Sequence, residues 1–353
     1  MNKQKKHIQI VFTLAGLVAG VCYSVFSDNQ IKPIPYINGI SIGLIIGYLV
    51  SILEVYFFAP KEQHFSFLSK VALKTVSYVL LSGIVIIGVK GFNESIYFGQ
   101  GFWDYVKGAR FQNFLYNEDF EIIMIYTLML MGITIFIKEL SRKLGQGILL
   151  NFITGRYHKP REEERIFMFL DIKNSTSLAE KMGISTYFKM LNNFFFDVTS
   201  QIVLSGGIIY RYVGDQVVFT WKVQDKLKNT NCIKGYFNAK KQMQHLQPIY
   251  LEKYGEYPEF RASIHCGKVI VGEIGDVKSQ IVFLGEPMYV TAKIEKKCGE
   301  LGENILLSAE FADKIVLPDY YLLYPAGQLE VEFIDQPLNL FSIREQELEL
   351  EIA

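Results

Sequence analysis

The sequence predicts a four-helix transmembrane domain followed by an α+β cytoplasmic domain with a βαββαβ core. Three observations predict it. Apolar runs long enough to cross a bilayer all lie in the first 143 of 353 residues. From Arg165 onward, short apolar strands alternate with amphipathic helices. The chain is 50% hydrophobic and only 20% charged, with mean hydropathy +0.19, too apolar for an ordinary globular enzyme or for disorder. The boundaries read as a transmembrane domain at 1–143, a helical connector at 144–160, a catalytic-size domain at 161–346 and a tail at 347–353.

A helix needs about 20 residues to span the hydrocarbon core, and four runs qualify: 8–27, 36–58, 68–89 and 120–137. The first lacks a small-residue cleavage pattern and reads as a retained anchor rather than a signal peptide. Lys3, Lys5 and Lys6 precede it, Lys61 and Lys70 sit between the second and third runs, and Lys138, Arg142 and Lys143 follow the fourth. Basic flanks stay on the cytoplasmic side, so the N-terminus and everything after residue 143 face the cytoplasm, in a multi-pass protein of the inner or plasma membrane. The opposite side receives a short 28–35 link and a 90–119 loop. Glu54 and Lys74 lie within runs but near their cytoplasmic ends, where both are expected to reach water. Ile137, Leu140, Leu144 and Ile148 keep helical spacing beyond the fourth run, so a stiff helix is expected until Gly155 and Pro160 stop it.

In the second half, residues 166–170 form a buried strand ending at Asp171. Ser175, Thr176 and Ser177 are N-cap candidates for a helix to Met182, and a longer helix covers 184–204. Gly206-Gly207 breaks it. Strands at 208–213 and 216–221 flank Gly214-Asp215, a hairpin dipeptide. A helix over 225–246 follows, then strands at 260–266 and 268–274 about a Gly267 turn, a strand at 281–284 and a helix at 287–298 with Pro287 in its first turn. This order is that of the split, ferredoxin-like βαββαβ unit.

Composition removes several function classes. With 36 basic and 36 acidic residues the net charge is zero, so no field collects nucleic acid. The four cysteines, Cys22, Cys232, Cys266 and Cys298, lack disulfide or zinc spacing. Neither do His7, His64, His158, His245 and His265 show ligand spacing. The chemical signal is instead a pair of acids: Asp171 at a strand end beside a polar helix start, and Asp215 in a hairpin turn. If the strands are sheet neighbours, the carboxylates share one edge next to a helix N-terminus. Free N–H groups there suit phosphate, and the oxygen ligands suit magnesium or manganese.

Residues 161–183, REEERIFMFLDIKNSTSLAEKMG, and 206–221, GGIIYRYVGDQVVFTW, resemble the class III nucleotide cyclases, the adenylate and guanylate cyclases. The resemblance continues through FRASIHCGKVIVGEIG at 260–275. It implies the class III cyclase fold, a bacterial membrane-bound type and a head-to-tail homodimer with sites at its interface. It implies that Asp171, Asp215 and the Ile172 carbonyl hold two Mg2+ or Mn2+ ions, and that Asn174, Ser175, Thr176 and Gly214 surround the phosphates of a nucleoside triphosphate, ATP being favoured. The implied reaction is attack of the ribose 3′-hydroxyl on the α-phosphate, giving cyclic AMP and pyrophosphate for signalling.

The chain departs from the family's pattern in three places. The stretch GEPMYVTAK at 285–293 puts Tyr289 where the family has Asn and Lys293 where it has Arg, a point charge in place of a planar fork. No lysine for the terminal phosphates occurs in 328–343. The base-reading positions are Arg211 and Val282, and Arg211 has donors only, which does not separate adenine from guanine or a pyrimidine. These departures leave two alternatives: a degenerate domain that binds nucleotide or pairs with an intact cyclase as a heterodimer, and a cyclase of different base specificity.

Overall fold

The computed structural model describes residues 3–27, 33–58, 66–145, 148–332, 334 and 336–346. Residues 28–32 of the first link, Lys61, His64 and the 347–353 tail lie outside the described residues, as do the side chains of Lys3, Lys5 and His7. Two compact units divide the chain, Met1–Lys143 and Leu144–Ala353.

The first unit is helical: α1 (Lys3–Ser27), α2 (Pro33–Ile52) continued by a π-helical turn (Leu53–Phe58), α3 (Phe67–Tyr97), α4 (Phe102–Lys107), α5 (Ala109–Tyr116) and α6 (Glu118–Leu144). Three stretches, Pro33–Phe58, Phe67–Tyr97 and Phe120–Leu144, are long and apolar enough to cross a membrane. The apolar part of α1 is shorter, Gln9–Val25. Ser66 caps α3, its hydroxyl accepting from the Ser69 N–H at 3.3 Å. The expected 90–119 loop is helical: α3 runs on to Tyr97 and α4 and α5 follow, because Tyr105 and Phe111 pack inward and give short helices a core to bury against.

Glycines set the distance between α1 and α2. A methyl group added to Gly16 would come 2.9 Å from the Gly47 Cα, and one on Gly39 2.5 Å from the Gly20 carbonyl. Glycines four residues apart on each helix let the backbones touch, the contact that replaces hydrophobic drive between helices in an apolar solvent.

Glu54 and Lys74 do not reach water. They are 4% and 2% exposed, and Lys74 Nζ lies 2.9 Å from Glu54 Oε1 and 3.1 Å from Oε1 of Glu139, itself 1% exposed. Tyr78 and Lys138 also reach Glu54, and Arg142 holds Glu139 at 2.7 Å. Burial of these charges is tolerable because each meets an opposite one. Sequence pointed to water because the partner, Glu139, sits on a helix 65 positions away.

The second unit comprises α7 (Ile148–Ile153), β1 (Arg161–Ile172), α8 (Ser175–Met182), α9 (Ile184–Leu204), β2 (Ile208–Val213), β3 (Gln216–Lys222), α10 (Lys226–Asn229), α11 (Asn231–Tyr254), β4 (Phe260–Ile274), β5 (Gln280–Leu284), α12 (Glu286–Leu301), β6 (Ile305–Ser308), α13 (Ala309–Ala312), β7 (Tyr321–Leu329) and β8 (Leu338–Glu345). One mixed sheet runs β2-β3-β1-β4-β6-β8-β7, with β5 on β4. Among the described residues only β4 and β6 pair in parallel. Alternation along β1 sorts its side chains: Ile166, Met168, Leu170 and Ile172 join Met190, Phe194, Val198 and Ile202 of α9 and Ile233 and Tyr236 of α11 in the main core. Phe167 and Phe169 join Val269, Val271 and Phe283 on the opposite face. A third cluster packs Val290, Ile294 and Cys298 of α12 on Leu306, Leu338 and Leu340. All four cysteines are free thiols.

Three local expectations are corrected. Gly145 has φ +102°, which ends α6 at Leu144, so the stiff connector is interrupted before α7. Gly267 is no turn: β4 is one strand, and the glycine is there because a Cβ would meet Pro287 Cγ at 2.7 Å. The 225–246 helix is two, with Asp225 capping α10 by accepting from the Lys228 N–H at 3.0 Å and α11 running on to Tyr254.

Gly20→Leu is expected to separate α1 from α2 and lower the melting temperature of the detergent-purified protein, overpacking of this kind costing about 1–3 kcal/mol. Gly88→Leu, at a position with open space around it, is expected to leave it unchanged. Equal melting temperatures for the two variants would show that the glycine contact does not hold the helices.

Candidate functional site

The site begins where β1 ends. Beyond Ile172, the Lys173 N–H donates to the Glu259 carbonyl at 2.9 Å, and Asn174 takes a left-handed conformation, φ +53°, which asparagine tolerates better than most residues. The chain thereby turns into α8. Asn174, not a serine or threonine, occupies the N-cap position, and its side chain makes no capping bond. The first-turn N–H groups of Ser175, Thr176 and Ser177 have no intrahelical partner, which suits an anion.

Asp215 arrives from the other side. β2 and β3 pair Val213 with Gln216, leaving Gly214 and Asp215 as a two-residue turn with Gly214 at φ +62°. Gly207, at the start of the hairpin, has no room for a side chain, since a Cβ would lie 2.7 Å from Trp221. In the sheet, Asp171 stands opposite Gln216 on β3 and opposite Arg261 on β4. Arg261 Nη2 donates to Asp171 Oδ2 at 2.8 Å. Burial, then the charge of Asp215 beside it, raises the Asp171 carboxyl above its ordinary range, with Arg261 pulling the other way.

A third carboxylate stands behind this pair. Glu295 of α12 accepts a hydrogen bond from the Gln216 side chain, and burial, then the charge of Asp171, pushes it up to about 7. The Tyr187 hydroxyl is buried, near Ser175, and meets no hydrogen-bond geometry among the described residues; burial, then Asp215, raises it. Three acids against one guanidinium leave surplus negative charge beside that hydroxyl. The donor set fits hard divalent cations, which take oxygen ligands and, for magnesium, use one or two carboxylates and complete their shell with water and phosphate oxygens. Among the described residues no cluster of three His, Cys, Asp or Glu side chains could hold a metal without such help.

Asp171, Ile172, Asn174, Ser175, Thr176, Gly214 and Asp215 thus converge on one edge of the sheet. Tyr289 and Lys293 do not join them within one chain. They lie one turn apart on α12; the Tyr289 hydroxyl donates to Glu332 at 3.1 Å, and Lys293 Nζ sits 5.1 Å from the Tyr289 ring centre. Arg211 donates to the Tyr210 hydroxyl at 2.8 Å and stacks on its ring. It is Tyr210, packed at 4.8 Å on Phe283, that ties β2 to the strand carrying Val282. Sequence reading passed over Arg261, Glu295 and Tyr187. A charge at Glu295, four residues after the buried Thr291 and three before the buried Cys298, was the available signal for one of them.

Residues 157–332 match the model of the adenylate and guanylate cyclase catalytic domain. Adenylate cyclase 2 of Rhizobium meliloti (strain 1021) is 33% identical over 221 residues, 63% of this chain and 61% of that protein. The adenylate cyclase of Anabaena cylindrica is 22% identical over 191 residues, 50% of this chain and 36% of that protein. The chain therefore spans less than two thirds of the relatives it matches. A solved bacterial light-regulated adenylyl cyclase superposes with a TM-score of 0.53 at 19% identity, over 64% of this chain and 66% of that one, a likeness of fold. A match that runs through both aspartates and over most of a compact unit makes this chain a member of the class III nucleotide cyclase family, the adenylate and guanylate cyclases.

Proposed function

We propose that the chain is a membrane-bound adenylate cyclase that converts ATP to cyclic AMP and pyrophosphate for signalling, working as a homodimer with its catalytic unit in the cytoplasm. The observation that carries this reading is the pairing of Asp171 with Asp215 beside the open N-terminus of α8. The names of the relatives, adenylate cyclases, favour ATP. The antiparallel order β2-β3-β1-β4 supports a ferredoxin-like core, and the tight glycine contact with α2 supports counting α1 as a fourth span.

In the reaction a bond forms between the ribose 3′-oxygen and the α-phosphorus, the bond from that phosphorus to the oxygen bridging to the β-phosphate breaks so that pyrophosphate leaves with that oxygen, and the hydroxyl proton passes to solvent. Asp171, Asp215 and the Ile172 carbonyl would hold two Mg2+ or Mn2+ ions, which when bound lower the charge barrier and favour the nucleophile and the leaving group. Ser175 and Thr176, with Asn174 and Gly214 shaping the turns, offer backbone N–H groups to the phosphates. Arg261 and Gln216 orient the acids: the first fixes one oxygen of Asp171, the second ties Glu295. Lys293, from the second subunit, brings positive charge to the α-phosphate, with Tyr289 beside it. Arg211 and Val282 contact the base, Arg211 donating to adenine N1.

A second reading rests on the contact between Tyr289 and Glu332, which engages Tyr289 within its own chain. It is a degenerate domain that lends its aspartates to an intact partner cyclase. Turnover by the purified protein with manganese, with ATP, GTP, CTP and UTP offered separately and products identified by mass, decides between them. Cyclic AMP from ATP is expected. No product from any nucleotide, with activity appearing on mixing with an intact cyclase, selects the second reading.

Asp171→Asn and Asp215→Asn are each expected to cut turnover at least about 100-fold, the scale of losing one preorganised electrostatic group, with the melting temperature retained. Activity surviving in both would remove the paired-acid argument. Tyr289→Asn with Lys293→Arg is expected to raise kcat about tenfold by restoring a planar donor; a fall would show the present pair to be adapted to this enzyme.

Glu295 gives a pH dependence. Its folded carboxyl titrates near 7 against 4.5 ordinarily, so the folded domain holds a proton that the unfolded chain has released between those values. Stability is therefore expected to fall as pH rises through that window when no metal is added. Glu295→Gln keeps an acceptor for Gln216 and should raise the melting temperature near pH 8 but not near pH 4.5. The same shift at both would assign the effect to packing instead.

A further inference from the structure

The first unit contains a cavity of about 320 Å3 walled by α1, α2, α3 and α6. Most of the wall is apolar, with Ile42, Ile46, Ile86 and Met131 among it; one end is polar, formed by Asn38, Lys90 and Glu94. At that end Glu94 is fully engaged: its Oε1 accepts from Lys90 at 2.6 Å and from Asn38 at 3.0 Å, and its Oε2 accepts from the Tyr105 hydroxyl. Lys90 also lies 4.4 Å from the Phe114 ring centre.

The charge arithmetic at this end selects a ligand. Lys90 and Glu94 cancel, so no net charge invites an ion. An ammonium group has three N–H donors, and Glu94 takes one; the other two have no protein acceptor among the described residues. The cavity thus offers unused donors at one end of an apolar chamber. At roughly 30 Å3 per methylene-sized group the volume holds about ten such groups, the lower end of small-molecule sites and too little for a two-chain phospholipid.

We propose that this cavity binds a neutral, single-chain amphiphile of about ten carbons, an alcohol or ketone whose oxygen accepts a hydrogen bond from Lys90 while its tail lies between α2, α3 and α6. The site is separate from the acidic centre, and its test reads binding alone. The full chain, in phosphatidylcholine nanodiscs, is irradiated with a decanol analogue carrying a diazirine on its tail, and labelled residues are mapped by mass spectrometry. Label is expected on the cavity wall, to fall at least about fivefold with excess 1-decanol and far less with n-decane or decanoate. Ala19→Phe and Thr127→Leu, two substitutions that fill the cavity, are each expected to lower it to a similar extent. Label on outward-facing residues such as Ile84 or Leu128 would overturn the proposal, as would equal competition by n-decane, stronger competition by decanoate or undiminished label in both filled variants. Should neither variant fold, competition on the native chain still decides.

Discussion

Strand β1 is hydrogen-bonded on both edges, to β3 and to β4, and the acidic centre depends on that register. The pairing puts Asp171 between Gln216 and Arg261, and strand alternation keeps it off the face that α9 and α11 cover. A slip of one residue would turn the carboxylate into the main core and bring Leu170 to the site. The apolar run of β1, with Ile166, Met168 and Leu170 on one face and Phe167 and Phe169 on the other, is therefore as much a part of the chemistry as the acids are, since each face is fitted to its own cluster.

The two units treat buried charge in opposite ways. In the helical unit the two carboxylates Glu54 and Glu139 are met by three cations, Lys74, Lys138 and Arg142, so no negative charge is left over. Such a network holds helices in one arrangement. In the catalytic unit Asp171, Asp215 and Glu295 face the guanidinium of Arg261, and burial, then the repulsion between the acids, raises the carboxyls of Asp171 and Glu295 above their ordinary range. A folded chain tolerates this where a charged ligand supplies the remainder, so the imbalance is what distinguishes a site from a structural cluster.

Much of this was legible in the sequence, and the exceptions share a cause. The strand ending at Asp171, the Gly214-Asp215 hairpin and helices α8 and α9 follow from patterns a few residues long. Arg261 and Glu139 acquire their roles from elements far away in sequence, and no local pattern reports them. Gly267 was misread because glycine serves both turns and close approaches, and only the position of Pro287 tells them apart. The glycines at 16, 20, 39, 43 and 47 were passed over, and their four-residue spacing takes its meaning from the contact between α1 and α2.

The left-handed glycine that ends α6 has a mechanical consequence. A continuous helix behaves as a shaft and carries torsion from one end to the other. Gly145 sits at φ +102°, a conformation that a residue with a Cβ enters only under strain, and the hydrogen-bond ladder of α6 stops there. The stiffness of α6 and that of α7 therefore come from separate ladders, and neither helix is an extension of the other.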